Sequence, residues 1–448
     1  MMMKKIIAIV LSLLMLLSCV ACSNQEKKEP SQEPDQEVTS KETEKTPSEI
    51  SAEATVEKIE LNVWIASTGN PEEDNLFKEW IEGYKTINPN VEFSYSFIPW
   101  GDYFTKLSTA IVGEVAPDLF MTGFGQIGSV NAMNALLPLN DYFGEDWDGW
   151  SDFSSGVLES GTADGKLCAL LMPAARIYAY RKDIAEQQGV TADELVINSR
   201  EDLINLAQKM TIKDDKGNII MSGFEINTSV NGSEQPYGQW AQSYCDNGVP
   251  FWNEGALPNF NSEESVKALE DLYALYQSGV SLEYDPSNGS QTNGLNLGIA
   301  TVASVLPSAL PSLYSIYGEE NIGVLDCNLN TIITGNFMAA NAATKYPEIA
   351  ADVMKYIFSA EALSDYQRVS NTYSGRQSLS EEFVEMDPNN QYVAAALDKA
   401  MPYGAGMNPY FTQMVTILRT AIEAVFAGAD AKTTLDNAAA EYESAIAG

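Results

Sequence analysis

The stretch Tyr103–Phe120, YFTKLSTAIVGEVAPDLF, decides how the rest of the chain is read. Phe104, Leu107, Ile111 and Val115 recur every three or four positions, the spacing that lines one face of a helix. Gly113 falls near the end of that pattern. Pro117 stops any continuation and biases Ala116 toward an extended backbone. Leu119, Phe120 and Met121 then form a short apolar run, as in a strand buried on both faces. Thr122, Gly123, Phe124 and Gly125 leave the C-terminal end of that strand, where open α/β sheets present loops to ligands.

Upstream, Ile59, Leu61, Val63 and Ile65 alternate with Glu60, Asn62 and Trp64, which predicts a strand. Leu76, Phe77, Trp80, Ile81 and Tyr84 give a helical face that closes near Asn88-Pro89. Val91, Phe93, Tyr95 and Phe97 predict a second strand. The order is β-α-β-α-β, so the fold class is α/β with a parallel sheet under covering helices. Downstream, helices are expected over Glu201–Met210, over Trp240–Asp246 with a break at Asn247-Gly248, and after the N-cap Ser262. Strands are expected over Ile219–Phe224, Gly298–Pro307 and Thr331–Ala340, the last around Gly335-Asn336. Ser281–Asn293 reads as a polar loop. The chain closes on a helix opened by Lys345-Tyr346-Pro347-Glu348 and two helices, Met414–Phe426 and Thr433–Ile446, broken at Gly428.

The 448 residues carry 62 acidic and 26 basic side chains, a formal net charge of −36. So acidic a surface repels phosphate backbones and excludes nucleic acid as a partner. The chain has no histidine, which removes Ser-His-Asp and Cys-His catalysis and imidazole metal sites together. Carboxylate-pair chemistry needs no histidine and stays open. Cys168, Cys245 and Cys327 are widely spaced and odd in number, so they read as buried free thiols rather than a disulfide framework. Asp146-Trp147-Asp148-Gly149 has a calcium-like spacing, but an EF-type loop needs more oxygen ligands and a terminal Glu. A solvated acidic turn is expected there, with no metal and no cofactor anywhere in the chain.

Lys4 and Lys5 precede the apolar run Ile6–Leu17, too short for a membrane span and shaped as a targeting segment. The sequence Ser18-Cys19-Val20-Ala21-Cys22-Ser23 after it resembles a bacterial lipobox. Cys22 is the expected lipidation site, because a polar tether begins directly after it; Cys19 is the alternative. Residues 1–22 would then be a lipoprotein signal peptide. Residues 23–56, rich in Glu, Lys, Gln, Ser, Thr and Pro, cannot bury enough apolar surface to offset ordering entropy, and read as a disordered tether spanning roughly 30 Å.

Tyr103-x-x-Lys106-Leu107-x-x-Ala110-Ile111-x-Gly113-x-x-Ala116-Pro117-Asp118-Leu119 resembles the signature of the family 1 extracellular solute-binding proteins, the sugar-capturing subunits of ABC importers. Gly165-Lys166-Leu167, Met172-Pro173 and Tyr178-Ala179-Tyr180-Arg181-Lys182-Asp183 resemble the family segment where the chain first crosses between lobes, although Cys168 replaces its usual tyrosine. Asn321–Leu325 is expected as the second crossing. The resemblance implies a periplasmic-binding-protein-like fold of two α/β lobes joined by a multi-strand hinge, with an interlobe cleft. The lobes would comprise 57–173 plus 329–370, and 174–328 plus 371–448. In such a fold Asp118 reads as a structural residue at a strand entry, and Thr122–Gln126 should face the cleft.

Sugars present hydroxyl edges and apolar C–H faces, so they call for aromatic platforms ringed by polar groups. The ligand-binding set expected on this reading is Trp64, Ser67, Thr68, Phe124, Gln126, Arg176, Tyr178, Trp240, Ser308, Asn336 and Arg376. Trp80 and Trp252 read as core. The resemblance thus implies a monomeric, non-enzymatic carbohydrate-binding lipoprotein on the outer face of the cell membrane, delivering a mono- or oligosaccharide to a permease driven by a cytoplasmic ATPase. A surface sensor or adhesion module and a two-carboxylate glycoside hydrolase are the alternatives.

Overall fold

The computed structural model describes residues 58–67, 69–230, 232–245, 251–252, 257–283, 293–402 and 407–447. The signal segment, both lipobox cysteines, the tether, Thr68, the break at Asn247-Gly248 and most of the 281–293 loop lie outside the described residues.

The opening five elements form as their patterns predict. They are β1 (Ile59–Ser67), α1 (Pro71–Gly83), β2 (Val91–Pro99), α2 (Trp100–Val112) and β3 (Leu119–Gly123). β1 pairs in parallel with both β2 and β3. Leu61, Val63 and Ile65 are buried on one face of β1. Helix α1 starts where Asn70 accepts a hydrogen bond from the Glu72 N–H at 3.0 Å and Pro71 presets the first turn. Helix α2 buries Tyr103, Leu107 and Ala110, with Phe104 and Ile111 half-buried beside them. Val115 departs from the expected face and is 71% exposed. The helix has already ended at Val112, and Glu114 turns the chain with φ 57°. Asp118 is structural, as expected: it accepts from the Asn62 N–H at 2.8 Å and from the Thr344 hydroxyl at 2.6 Å.

Next come α3 (Ile127–Ala132), β4 (Ala169–Ala175) and β5 (Ile177–Arg181). The following elements are α4 (Glu234–Gln242), α5 (Glu263–Gln277), β6 (Val302–Val305), β7 (Ile322–Val324) and β8 (Thr331–Ala340). Last are α6 (Pro347–Ile357), α7 (Ala360–Ser370), β9 (Ala400–Pro402), α8 (Phe411–Phe426) and α9 (Ala431–Ala447). One sheet runs β9-β8-β3-β1-β2, with β4 also paired to β8; a second runs β6-β5-β7. The chain passes from the first sheet to the second at Arg176, the single residue between β4 and β5.

Four expectations shift. Helix α4 begins six residues before Trp240 and ends at Gln242, because Pro236 falls in its first turn, where a missing N–H leaves no bond unmade. The strand expected over Gly298–Pro307 is confined to β6, because Gly298 (φ 69°) belongs to a turn in which Leu297 and Ile299 donate back to Asn293 and Gly294. The segment Ile219–Phe224 is regular only over Ile219–Met221. The return crossing also comes later than Asn321–Leu325: β7 still pairs with β5, Asp326-Cys327 pairs with Val196-Ile197, and the first sheet is regained at Thr331.

Each sheet has its own core. Buried side chains of β1–β3 and β4 join Phe337–Ala340, α6 and α7 in one. Tyr178 and Tyr180 point into another, with α4, α5, α8 and α9. Ile177 and Ala179, on the opposite face of β5, enter a third with Ala303, Val305, Leu313 and Phe383. That alternation is the period of two expected of a strand.

Candidate functional site

The first sheet brings several expected residues to one edge. Because β1, β2 and β3 are parallel, Ser67, Pro99 and Gly123 end level with one another. β8 runs antiparallel and sets Asn336 opposite Gly123, and β4 delivers Ala175 opposite Ile333. Trp100 follows Pro99 directly. Its ring lies 5.5 Å from Tyr103, whose hydroxyl donates to the Trp64 carbonyl at 3.0 Å. A methyl on Gly123 would stand 3.6 Å from the Trp100 ring and 2.1 Å from Gln126 Oε1, so both side chains cover this strand end. Phe124 is buried and stacks on Phe337 at 5.7 Å. Thr122 Oγ1 is buried with no partner among the described residues.

The loop that follows touches the far end of the chain. A methyl on Gly125 would lie 1.9 Å from Phe411 Cε1, and one on Gly128 would lie 2.2 Å from the Asn408 carbonyl oxygen. Ser129 donates to the Pro409 carbonyl at 2.8 Å. Glycine is required at 125 and 128 because these two strands of chain approach backbone to ring and backbone to backbone.

Arg176 and Ser308 flank the second sheet, Arg176 just before β5 and Ser308 just beyond β6. Arg176 is 6% exposed, and its guanidinium is fixed on three acceptors. Nε donates to Ser304 Oγ at 2.8 Å, Nη2 to the Ser304 carbonyl at 2.6 Å, and Nη1 to Gln235 Oε1 at 3.0 Å. Its own carbonyl accepts from Gln239 Nε2 and Thr331 Oγ1. Ser308 is exposed in a turn just beyond β6. Beside the crossing, a crevice of about 10 Å³ is lined by Tyr178, Gln239, Cys327, Asn330 and Tyr392 among others. It has room for about one water.

Other expected residues lie elsewhere or are already engaged. Trp64 is half-buried on β1 against the first core. Ser67 donates to Asp74 Oδ2 at 2.8 Å and accepts from the Gly69 N–H at 3.2 Å. Tyr178 is buried at the β5 start, its ring 5.6 Å from Phe224. Trp240 is 1% exposed, and its Nε1 donates to the Ala268 carbonyl at 2.8 Å. Trp80 and Trp252 are buried, as expected.

Arg376 is 1% exposed. Its Nη1 donates to Asp152 Oδ2 at 2.7 Å and to Asp148 Oδ2 at 3.0 Å, and Nε donates to the Phe358 carbonyl at 2.9 Å. The acidic turn is therefore a clamp on a buried arginine rather than a solvated loop. Burial alone would raise the Asp152 pKa; hydrogen bonds from Ser378 and the charge of Arg376 outweigh it and hold it below the usual value. Among the described residues no group of three or more His, Cys, Asp or Glu could hold a metal ion.

Trp100, Gln235 and Glu225 were not in the expected set. Trp100 follows directly on β2, so the strand-end rule that pointed to Thr122–Gln126 would also have found it; Gln235 lies in the first turn of α4, and Glu225 lies beyond the regular segment Ile219–Met221, so no strand-end signal marks either.

A family model described as bacterial extracellular solute-binding protein matches residues 79–392. The chain belongs to that family. Among curated relatives, a binding protein of Brucella abortus (strain 2308) is 26% identical over 141 residues, 31% of this chain and 33% of the relative. A Brucella suis biovar 1 (strain 1330) binding protein matches to the same extent. The match thus spans about a third of the length of these relatives. Solved solute-binding proteins share the fold. A Thermotoga lettingae protein bound with alpha-D-tagatose superposes with TM-score 0.74 at 16% identity, covering 86% of this chain and 99% of its own. The GacH receptor of Streptomyces glaucescens, solved unliganded and with acarbose, gives TM-score 0.73 at 18% identity, over 86% and 98%. A Listeria monocytogenes substrate-binding protein in complex with cycloalternan gives TM-score 0.73 at 19% identity, over 87% and 100%. This solute-binding protein therefore has the periplasmic-binding-protein-like α/β fold, and no helix among its described residues is long and apolar enough to cross a membrane.

Proposed function

We propose that this protein captures a neutral mono- or oligosaccharide between its two sheet edges and delivers it to an ABC importer permease, without catalysing a reaction on it. One observation carries the reading: a solute-binding chain brings an aromatic ring, Trp100, and an amide, Gln126, together over the end of β3, level with Asn336. Rings bind the C–H faces of sugars and amides bind their hydroxyls. Neutral ligands are favoured because the Arg176 fork is held by Ser304 and Gln235, and Arg376 is neutralised by Asp148 and Asp152. The proposed contact set is Trp100, Phe124, Gln126 and Asn336 from one edge and Arg176, Gln235 and Ser308 from the other. The lobes are proposed as 57–173 plus 329–370, and 174–328 plus 371–448. The protein acts as a monomer tethered through lipidated Cys22 on the outer face of the membrane.

Calorimetry against a panel of neutral saccharides tests the reading. At least one should bind, and Trp100→Ala should weaken it by about tenfold or more, ~1.4 kcal/mol, with the unfolding midpoint nearly unchanged. Binding of a peptide or an anion in place of every sugar would reject it. Cys22→Ser should shift the protein from the membrane fraction to the medium; retention in the membrane would move the anchor to Cys19.

A further inference from the structure

Glu225 occupies an unusual position. The segment that carries it runs beside β6: Ser222 and Ala300 form a parallel bridge, and the Glu225 N–H donates to the Val302 carbonyl at 2.9 Å. Its side chain is 8% exposed. Among the described residues that side chain has one hydrogen bond, accepted by Oε2 from the Gly294 N–H. A methyl on Gly294 would stand 2.8 Å from the same oxygen, so only glycine permits the approach. Gly294 also organises the turn that leads into β6. Its carbonyl accepts from Ile299 and Ala300 at 2.9 and 3.0 Å, and the Tyr317 hydroxyl donates to the Leu295 carbonyl at 2.6 Å.

The charged group acting on Glu225 is Arg176, whose fork rests on Ser304, two residues further along β6. The other groups around it are not titratable: the Gly294 amide, the Ala300 methyl, the Val302 carbonyl, and Ser281, which accepts from the Ile226 N–H at 3.2 Å. A carboxylate with a single N–H donor and little water is poorly stabilised as an anion.

We propose that Glu225 is a proton-operated latch: when neutral it stays dry between the Asn293–Ala300 turn and β6, and when ionised, although its bond from the Gly294 N–H strengthens, its other oxygen draws in water or the Arg176 guanidinium and so loosens both the turn and the crossing at Arg176. Burial raises the carboxyl to about 7, against smaller lowering effects from the Gly294 N–H and Arg176. The folded value lies above the ordinary 4.5, so the fold gains from protonation at acid pH and loses that gain as pH rises through about 7.

Hydrogen exchange of the 293–300 segment, corrected for intrinsic rates, tests this between about pH 5.5 and about 8.5, with the thermal midpoint read in parallel. In the wild-type protein, protection of the turn should fall about tenfold across that window and the midpoint should decline. Glu225→Gln, which keeps the shape and an acceptor but cannot ionise, should stay protected and flat. A flat wild-type profile, or a Glu225→Gln profile that follows the wild type, would overturn the proposal. Carbon-13 titration of the glutamate carboxyls in the wild-type protein supplies an arm that needs no variant. Titration of Glu225 near neutrality, with the Gly294 amide shifting in step, supports the latch; titration at an ordinary carboxylate value overturns it.

Discussion

Trp240→Ala is expected to lower stability by about 3–5 kcal/mol, the range for deleting a large aromatic side chain from a packed core. The indole sits 6.4 Å from Phe224 and 5.9 Å from Tyr244, among the buried side chains of the second core. Its N–H is the donor to the Ala268 carbonyl, at 2.8 Å, so truncation also removes that hydrogen bond. Tryptophan was expected from sequence as a ligand platform, and denaturant unfolding beside calorimetry separates the two roles. A core role lowers the unfolding midpoint and leaves the affinity of the surviving folded protein close to wild type. Lost affinity at unchanged stability would return the ring to the ligand site.

The second large effect concerns Arg376. Arg376→Ala should cost about 3–5 kcal/mol, because it strands Asp152, 17% exposed, without its cation. The loss comes from breaking the pair rather than from any large net worth of the pair. Arg376→Met combined with Asp152→Asn should therefore recover part of the stability that Arg376→Ala removes. Acid unfolding supplies an independent readout. The Asp152 pKa is depressed in the fold, so its stabilisation is present above the ordinary carboxylate value and is lost as pH falls through the lowered one. Removing Arg376 should move that loss to higher pH. An Arg376→Ala variant with wild-type stability and acid tolerance would contradict the clamp.

These two residues also show how far the sequence could be read. The β-α-β-α-β opening was legible because its signals are local: the alternation of Ile59, Leu61, Val63 and Ile65, and the stop at Pro117. Crossing at Arg176 was legible through the motif around it. Trp240 was not, because a helical stripe of aromatics looks the same whether it faces a core or a cleft. Arg376 was not, because Asp148 lies 228 positions away in sequence. Glu225 is one acidic residue among 62, and only its burial distinguishes it. Trp100 could have been found: it stands at the end of β2, level with the loop that the reading had already selected.

The place of β8 in the first sheet has a consequence for how the chain is made. Residues Thr331–Ala340 lie between β3 on one side and β4 on the other. Until they emerge from the ribosome, β3 and β4 each present an unpaired edge, and the sheet they will share has a gap at its centre. Roughly the first three quarters of the polypeptide must therefore exist before the N-terminal sheet can close, a contact pattern that makes folding slow and late rather than progressive. A fragment ending ahead of Thr331 would contain most of the first core's helices and strands and yet be a template for aggregation instead of a domain.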